Sequence, residues 1–247
     1  MNEPYFDPTI YWQEGEQTIR EILRVGMNRY TEGLKTLSEA FKLKDHSLRC
    51  MDEGTPGGVH CAGSGILLEL DEVKDGFAEA HIDGIYSHAG CGAAVFYAKQ
   101  QGLDAGFADE YGKEWAKSLA GNLGLPYKGH IEAEALARPS NLHIARAVYY
   151  DGTGTFDPSV CPDLPKGFVV SRKYMTPEYA RKEAEIAIGI AVGNHGFGHK
   201  FSGDEPFLLI AVGRKGNNEP SLEKLKEELE SVAGNYAGKV RVEGFLA

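Results

Sequence analysis

Residues 47–70, SLRCMDEGTPGGVHCAGSGILLEL, contain the pattern that indicates the fold class. The short run 47–50 predicts a strand, and the segment 54–58, rich in Gly and Pro, predicts a loop. The apolar residues that follow predict that the stretch 59–70 opens as a second strand. Before them, residues 17–44 carry apolar side chains at steps of three and four, which predicts an amphipathic helix with a break near Gly33.

The remainder of the chain continues this alternation of strands and helices. Further strands are predicted at residues 79–85, 131–135, 143–150, 168–171, 207–212 and 240–246, and further helices at 91–99, 107–122, 177–192 and 221–232. Strands that alternate with helices predict an α/β fold with a mixed, largely parallel central sheet flanked by helices. The sequence shows no internal repeat or linker, so we expect a single domain over residues 1–247.

Charge and hydropathy exclude two classes of partner. The formal net charge of −10 and the pI near 5.3 would repel a phosphate backbone, so no nucleic acid is expected. No apolar stretch approaches the roughly 18 residues that a membrane span needs, and the N-terminus lacks the pattern of an export signal. We therefore expect a cytoplasmic protein that does not bind membranes.

Two of the four cysteines are placed where α/β proteins carry out chemistry. Cys50 ends a predicted strand, and Cys91 begins a predicted helix, whose unpaired N–H groups and dipole stabilise a thiolate. In a reducing compartment the cysteines should be free thiols. Cys61 and Cys161 are predicted to be structural.

One histidine, His81 or His88, can complete a metal site with Cys50 and Cys91. Two thiolates and one imidazole occupy three positions of a tetrahedron and leave the fourth for water. This is the open arrangement of a catalytic zinc site. The sequence therefore predicts a catalytic zinc site.

Four short motifs resemble one known family: Cys50-Met51-Asp52, Pro56-Gly57-Gly58, His81-Ile82-Asp83 and Cys91-Gly92. The order of these motifs, and the ten-residue step from His81 to Cys91, are similar to those of the cadmium-using carbonic anhydrases of marine diatoms and their smaller bacterial relatives. That family is functionally similar to the β-class carbonic anhydrases. The likeness is concentrated between Cys50 and Tyr97.

The resemblance implies a β-carbonic-anhydrase-like fold and the reversible hydration of carbon dioxide to bicarbonate by a metal-bound hydroxide. It implies that Cys50, His81 and Cys91 hold Zn²⁺, exchangeable with Cd²⁺, in a monomer or homodimer. The β-class pattern His-x-x-Cys is satisfied instead by His88 and Cys91. We prefer His81, because its following Asp83 extends the match, and keep His88 as the alternative.

Asp52 is the expected catalytic residue, since in both families the corresponding Asp accepts a hydrogen bond from the metal-bound water. In those families an Arg two residues later holds the Asp, whereas this chain has Gly54. Without that cation, Asp52 would be free to ligate the metal, unless Arg49 or Arg138 replaces it.

The substrate pocket is predicted to include Gly57, Gly58 and Ala62, small residues that would form a narrow apolar slot; a plain tight turn is the competing interpretation of the two glycines. Two other functions stay open. One is a non-catalytic Zn/Cd-binding protein in which Asp52 closes the site. The other is a hydrolase of a small electrophile such as carbon disulfide.

Overall fold

A computed structural model describes residues 8–216 and 220–247 of the chain. Its strands form two four-stranded sheets, in the orders β2-β1-β3-β4 and β6-β5-β7-β8, and every described pairing is parallel. The strands are β1 (Leu48–Arg49), β2 (Val59–His60), β3 (Ile85–His88), β4 (Tyr127–Ile131), β5 (Ala147–Asp151), β6 (Gly167–Val170), β7 (Phe207–Gly213) and β8 (Val240–Leu246). The α/β class is confirmed, but two parallel sheets replace the single mixed sheet that was expected.

The two sheets have the same strand order when each is counted from its own first strand. In both halves the first strand is central, the second lies at one edge, and the third and fourth follow on the other side. The fold is thus repeated although the sequence shows no repeat, because strand order depends on apolar patterning and right-handed crossovers rather than on residue identity.

The helices cover these sheets. They are α1 (Pro8–Val25), α2 (Met27–Glu32), α3 (Leu70–Phe77), α4 (Gly92–Gln100), α5 (Ala108–Leu123), α6 (Pro177–Ala191) and α7 (Leu222–Ala233). The helix predicted over 17–44 is divided at Gly26, whose φ of 82° an α-helix does not tolerate, and ends in a short 3₁₀ helix, Leu37–Phe41. None of the described helices is both long and apolar enough to cross a membrane.

Four strand predictions were displaced, among them the strand expected at 143–150, which begins at Ala147. The strand expected at 79–85 begins only at Ile85, because residues 78–80 form a 3₁₀ turn. The strand expected at 131–135 ends at Ile131. The stretch 59–70 is extended only at Val59–His60, and its last residue begins α3, a helix that the apolar pattern did not predict. Its start is marked by a capping box between Glu69 and Glu72.

The core lies on both faces of the second sheet. All seven residues of β7 are buried, as expected for a central parallel strand. Phe207 and Leu209 belong to the large apolar cluster that includes α6 and α7, whereas Leu208 and Ile210 belong to the cluster that includes α1 and α2. Alternate side chains of one strand therefore attach helices to opposite faces.

The two sheets meet beside the loop that follows β1. The Val169 N–H donates to the Met51 carbonyl at 3.0 Å, and the Ser171 N–H donates to the His60 carbonyl at 3.1 Å. The last residue of β2 and the loop that follows β1 are therefore held by backbone hydrogen bonds from the second half of the chain.

Candidate metal centre

The carboxyl ends of β1 and β3 bring three potential ligands together. Cys50 is the first residue beyond β1, His88 is the last residue of β3, and Cys91 is the N-cap of α4. Because β1 and β3 are neighbouring parallel strands, their carboxyl ends lie at the same edge of the sheet.

The ligand atoms of Cys50, His88 and Cys91 lie within 4.8 Å of one another. The two sulfur atoms are 4.0 Å apart, and all three residues are buried. A group of two thiols and one imidazole at such distances can hold a metal ion with little rearrangement.

His88 carries a nitrogen that requires a partner. Its Nδ1 lies 2.9 Å from the carbonyl of Ala89, so Nδ1 holds the proton and donates. Nε2 is buried without a hydrogen-bond partner in the described parts of the chain, and in the neutral ring it carries the lone pair that can bind a metal. A metal ion would satisfy this nitrogen, since a ligating His commonly donates its other N–H to a carbonyl.

Electrostatics in the group favour ionisation of Cys91 and oppose that of Cys50, because the hydrogen bond to Cys91, burial and the charge of Cys91 raise the pKa of the Cys50 thiol. The hydrogen bond from Cys50 lowers the pKa of the Cys91 thiol, burial opposes this, and the nearby backbone N–H groups of Ala94 and Ala93 lower the pKa further. Burial lowers the pKa of His88, but interaction with the Cys50 sulfur and the charge of Asp52 outweigh burial and raise the pKa to about 9. The arrangement thus pairs a thiol of lowered pKa, Cys91, with an imidazole of raised pKa, His88.

His81 is not part of this group. It is exposed, has a left-handed φ of 49°, and precedes β3, so it lies beyond the opposite end of the strand from His88. Asp83 is exposed too and pairs with Lys128 at 2.6 Å. The preference for His81 is therefore corrected: the alternative, His88, is the histidine that the fold places beside the cysteines, and with Cys91 it forms the His-x-x-Cys pattern.

Asp52 is held by Arg138. Nε and Nη2 of Arg138 donate to Oδ1 and Oδ2 of Asp52 at 2.7 and 2.6 Å, with both side chains almost fully buried. Burial raises the pKa of Asp52, but the hydrogen bonds from Arg138, the neighbouring His88 and the charge of Arg138 outweigh it and hold the pKa well below its usual range. Asp52 is therefore an ionised carboxylate with a fixed orientation.

The absence of a side chain at Gly54 leaves room for the side chain of Arg138. A Cβ at position 54 would lie 2.9 Å from Cγ of Arg138 and 2.9 Å from Oδ1 of Asp52. The Gly54 N–H also donates to Asp52 Oδ1 at 2.7 Å. Of the two cations considered as replacements for the missing Arg, Arg138 fills the role, whereas Arg49 pairs with Asp45.

A second cluster of possible ligands adjoins the group Cys50, His88 and Cys91. Oxygen and nitrogen atoms of Asp52, Glu53 and His143 lie within 4.8 Å of one another. Glu53 accepts hydrogen bonds from His143 Nδ1 at 3.0 Å and from the Ile144 N–H at 2.8 Å. Because Arg138 already neutralises Asp52, this group is better suited to orienting side chains than to binding a second cation. Sequence reasoning missed Glu53 and His143, which lie 90 positions apart.

The residues expected to form the substrate pocket do not line the cavity beside the site. Gly57 and Gly58 have φ of 79° and 83° and make the tight turn into β2, and Ala62 is fully buried. A cavity of about 60 Å³ adjoins the site, with none of these three in its lining. Asp52, Glu53, His60, Ala137 and Val169 are among its lining residues. His60 is held in place by the hydrogen bond that its Nδ1 donates to the Cys50 carbonyl at 2.7 Å.

Comparison of the chain with protein-family models, with curated proteins and with solved structures finds no match.

Proposed function

We propose that this protein is a zinc-dependent carbonic anhydrase that hydrates carbon dioxide reversibly to bicarbonate. The observation that carries the proposal is the Asp52 carboxylate, held on both oxygens by Arg138 next to the group Cys50, His88 and Cys91. Three ligands and a fixed, ionised acceptor are the parts that a metal-assisted hydration requires.

The donor set supports zinc, with cadmium as an exchangeable substitute. Thiolate ligands select soft or borderline metals, whereas magnesium and calcium prefer oxygen ligands. Zinc in catalytic sites takes three protein ligands and keeps the fourth position for water. The buried Nε2 of His88 and the sulfur atoms of Cys50 and Cys91 supply those three ligands.

When bound, zinc would lower the pKa of a coordinated water from 15.7 toward about 7 and so supply hydroxide near neutral pH. Asp52 would accept the hydrogen bond of that water and orient it toward the substrate. Arg138 keeps Asp52 ionised and prevents it from turning. Thiolates donate more charge than imidazoles, so the optimum should lie on the alkaline side of neutrality.

The non-catalytic alternative requires Asp52 to ligate the metal itself. To do so, the carboxylate would have to release two charge-assisted hydrogen bonds from Arg138, each contributing about 1.5–3 kcal/mol. It would also leave the buried guanidinium with only the more distant carboxylate of Glu53, at 3.9 Å, as its counter-ion. The geometry therefore favours an open fourth position over a closed one.

The test combines metal analysis with a hydration assay on the same sample. Protein purified without chelator should contain about one zinc per chain and should accelerate carbon dioxide hydration, measured by stopped flow across roughly pH 7 to 9. Cys50→Ser should lose both metal and activity. Cys161→Ser is the matched control for metal content, because Cys161 is a buried free thiol that lines the adjoining cavity but lies outside the group Cys50, His88 and Cys91.

Each outcome has a distinct meaning. Stoichiometric metal without hydration above background would refute the enzyme and favour the non-catalytic binding protein. Hydrolysis of carbon disulfide by that same sample would instead point to the hydrolase. Absence of metal from the wild-type protein would refute all three.

A further inference from the structure

The sulfur of Cys50 receives a hydrogen bond from a backbone that is held in an unusual conformation. The Gly63 N–H donates to Cys50 Sγ at 3.2 Å. Gly63 and the following Ser64 both have a left-handed φ of 55°. A non-glycine residue in this region is strained, so the surrounding contacts must hold the turn over residues 61–65 in place.

Glycine is required at position 63 because the turn passes close to the metal ligands. A Cβ there would lie 2.6 Å from Cγ2 of Ile66, 3.0 Å from Cβ of Ala93 and 3.4 Å from Sγ of Cys91. The far end of the turn is fastened at two points. Ser64 Oγ donates to the Tyr86 carbonyl at 2.7 Å, and Trp115 Nε1 donates to the Ser64 carbonyl at 3.1 Å.

The near end of the turn is fastened by Glu183, on α6 in the second half of the chain. Glu183 Oε1 accepts the Ala62 N–H at 2.7 Å and the Cys61 thiol at 3.2 Å. Glu183 is fully buried, and its Oε2 has no hydrogen-bond partner among residues 8–216 and 220–247. Burying such a carboxylate is unfavourable, so its presence calls for a role that an apolar side chain could not fill.

We infer that Glu183 is a positioning residue of the metal centre, which anchors the turn over residues 61–65 so that the Gly63 N–H points at the Cys50 sulfur. This role rests on the proposed metal site. An N–H···S bond withdraws electron density from a thiolate, so it tunes how strongly Cys50 donates to the metal. It also orients Cys50 before the metal binds, as residues behind metal ligands commonly do.

The test uses the full chain loaded with Co²⁺, whose sulfur-to-metal charge-transfer band reports on the thiolates. In Glu183→Ala the Ala62 N–H loses its acceptor and the turn relaxes. The band should move to longer wavelength, and Co²⁺ affinity should fall about 10- to 100-fold. Glu183→Gln keeps an oxygen for the Ala62 N–H and should retain the wild-type band.

Glu228→Ala is the matched control. Glu228 is equally inaccessible, on α7, and it bonds to Arg172 and Tyr150 rather than to the turn. Its removal should destabilise the fold without moving the band. A Glu183→Ala protein with wild-type band and affinity would overturn the inference, and so would a Glu228→Ala protein whose band moves by the same amount.

A measurement on the wild-type protein covers the case in which Glu183→Ala does not fold. In ¹¹³Cd-loaded protein the Gly63 amide proton should show scalar coupling to the metal across the N–H···S bond, and absence of the coupling would also overturn the inference. If the wild-type chain binds neither Co²⁺ nor Cd²⁺, the proposed function itself fails. If it binds both and Glu183→Ala has the wild-type band and affinity, the positioning role alone fails.

Discussion

Replacing Arg138 by Met should uncouple metal binding from catalysis. Arg138 contacts Asp52 through two hydrogen bonds of 2.7 and 2.6 Å, and its side chain is only 1% exposed. Met fills a similar volume without the charge. The change leaves Asp52 as a buried carboxylate without its cation, free to turn toward the metal and close the fourth position.

The size of the effect follows from the burial of the pair. Removing one partner of a buried, hydrogen-bonded ion pair costs about 3–5 kcal/mol of unfolding free energy. In a chain of this size that corresponds to a fall in Tm of roughly 6–20 °C. Asp52→Asn in the Arg138→Met background removes the unpaired charge, so the double variant should recover about 2 kcal/mol or more.

Urea denaturation at pH 8 measures the unfolding free energies of wild type, Arg138→Met and the double variant. Stopped flow and elemental analysis measure activity and zinc content in the same samples. Arg138→Met should keep its zinc and lose kcat/KM by at least about 10-fold. The double variant should regain stability but not activity, because it lacks the ionised acceptor. Two results would refute the reasoning: a loss in Arg138→Met below about 1 kcal/mol, or a double variant no more stable than Arg138→Met.

Three further predictions concern the neighbouring residues. His88→Ala should abolish stoichiometric zinc while His81→Ala retains it, and elemental analysis giving the opposite pattern would restore His81 as the ligand. Gly54→Ala places a Cβ 2.9 Å from Arg138 Cγ, so urea denaturation should show a loss of about 1–3 kcal/mol together with lower kcat/KM; unchanged values would mean that the loop moves aside freely. Burial raises the pKa of Glu183 from its ordinary 4.5 to about 7, so the folded state holds this proton more tightly than the unfolded chain and loses stability as pH rises between those values. Glu183→Gln removes this loss. The unfolding free energy of metal-free Glu183→Gln minus that of wild type should therefore be roughly 3 kcal/mol higher at pH 8 than at pH 4. An equal difference at both pH values would contradict the titration.

Prediction from the sequence was most successful where local pattern decides structure. The helices at 177–192 and 221–232 were predicted to within one or two residues, because Thr176 and Ser221 cap their first turns and Pro177 begins one of them. The strand at 207–212 was predicted because a continuous apolar run is typical of a buried parallel strand. The prediction failed at β3, where a 3₁₀ turn delays the start of the strand to Ile85 and the strand ends three residues later than predicted, at His88.

Within the candidate site, local patterning in the sequence placed Cys50 at a strand end and Cys91 at a helix start, and the family resemblance pointed to Asp52. Tertiary structure decided the rest. His88 replaces His81 because only the end of β3 reaches the edge where β1 also ends. Arg138 reaches Asp52 across 86 positions of sequence, and Glu183 reaches Ala62 across 121. These partners are distant in sequence and are brought together only when the two halves of the chain pack against each other. The spacing of residues within a motif therefore cannot predict their contacts.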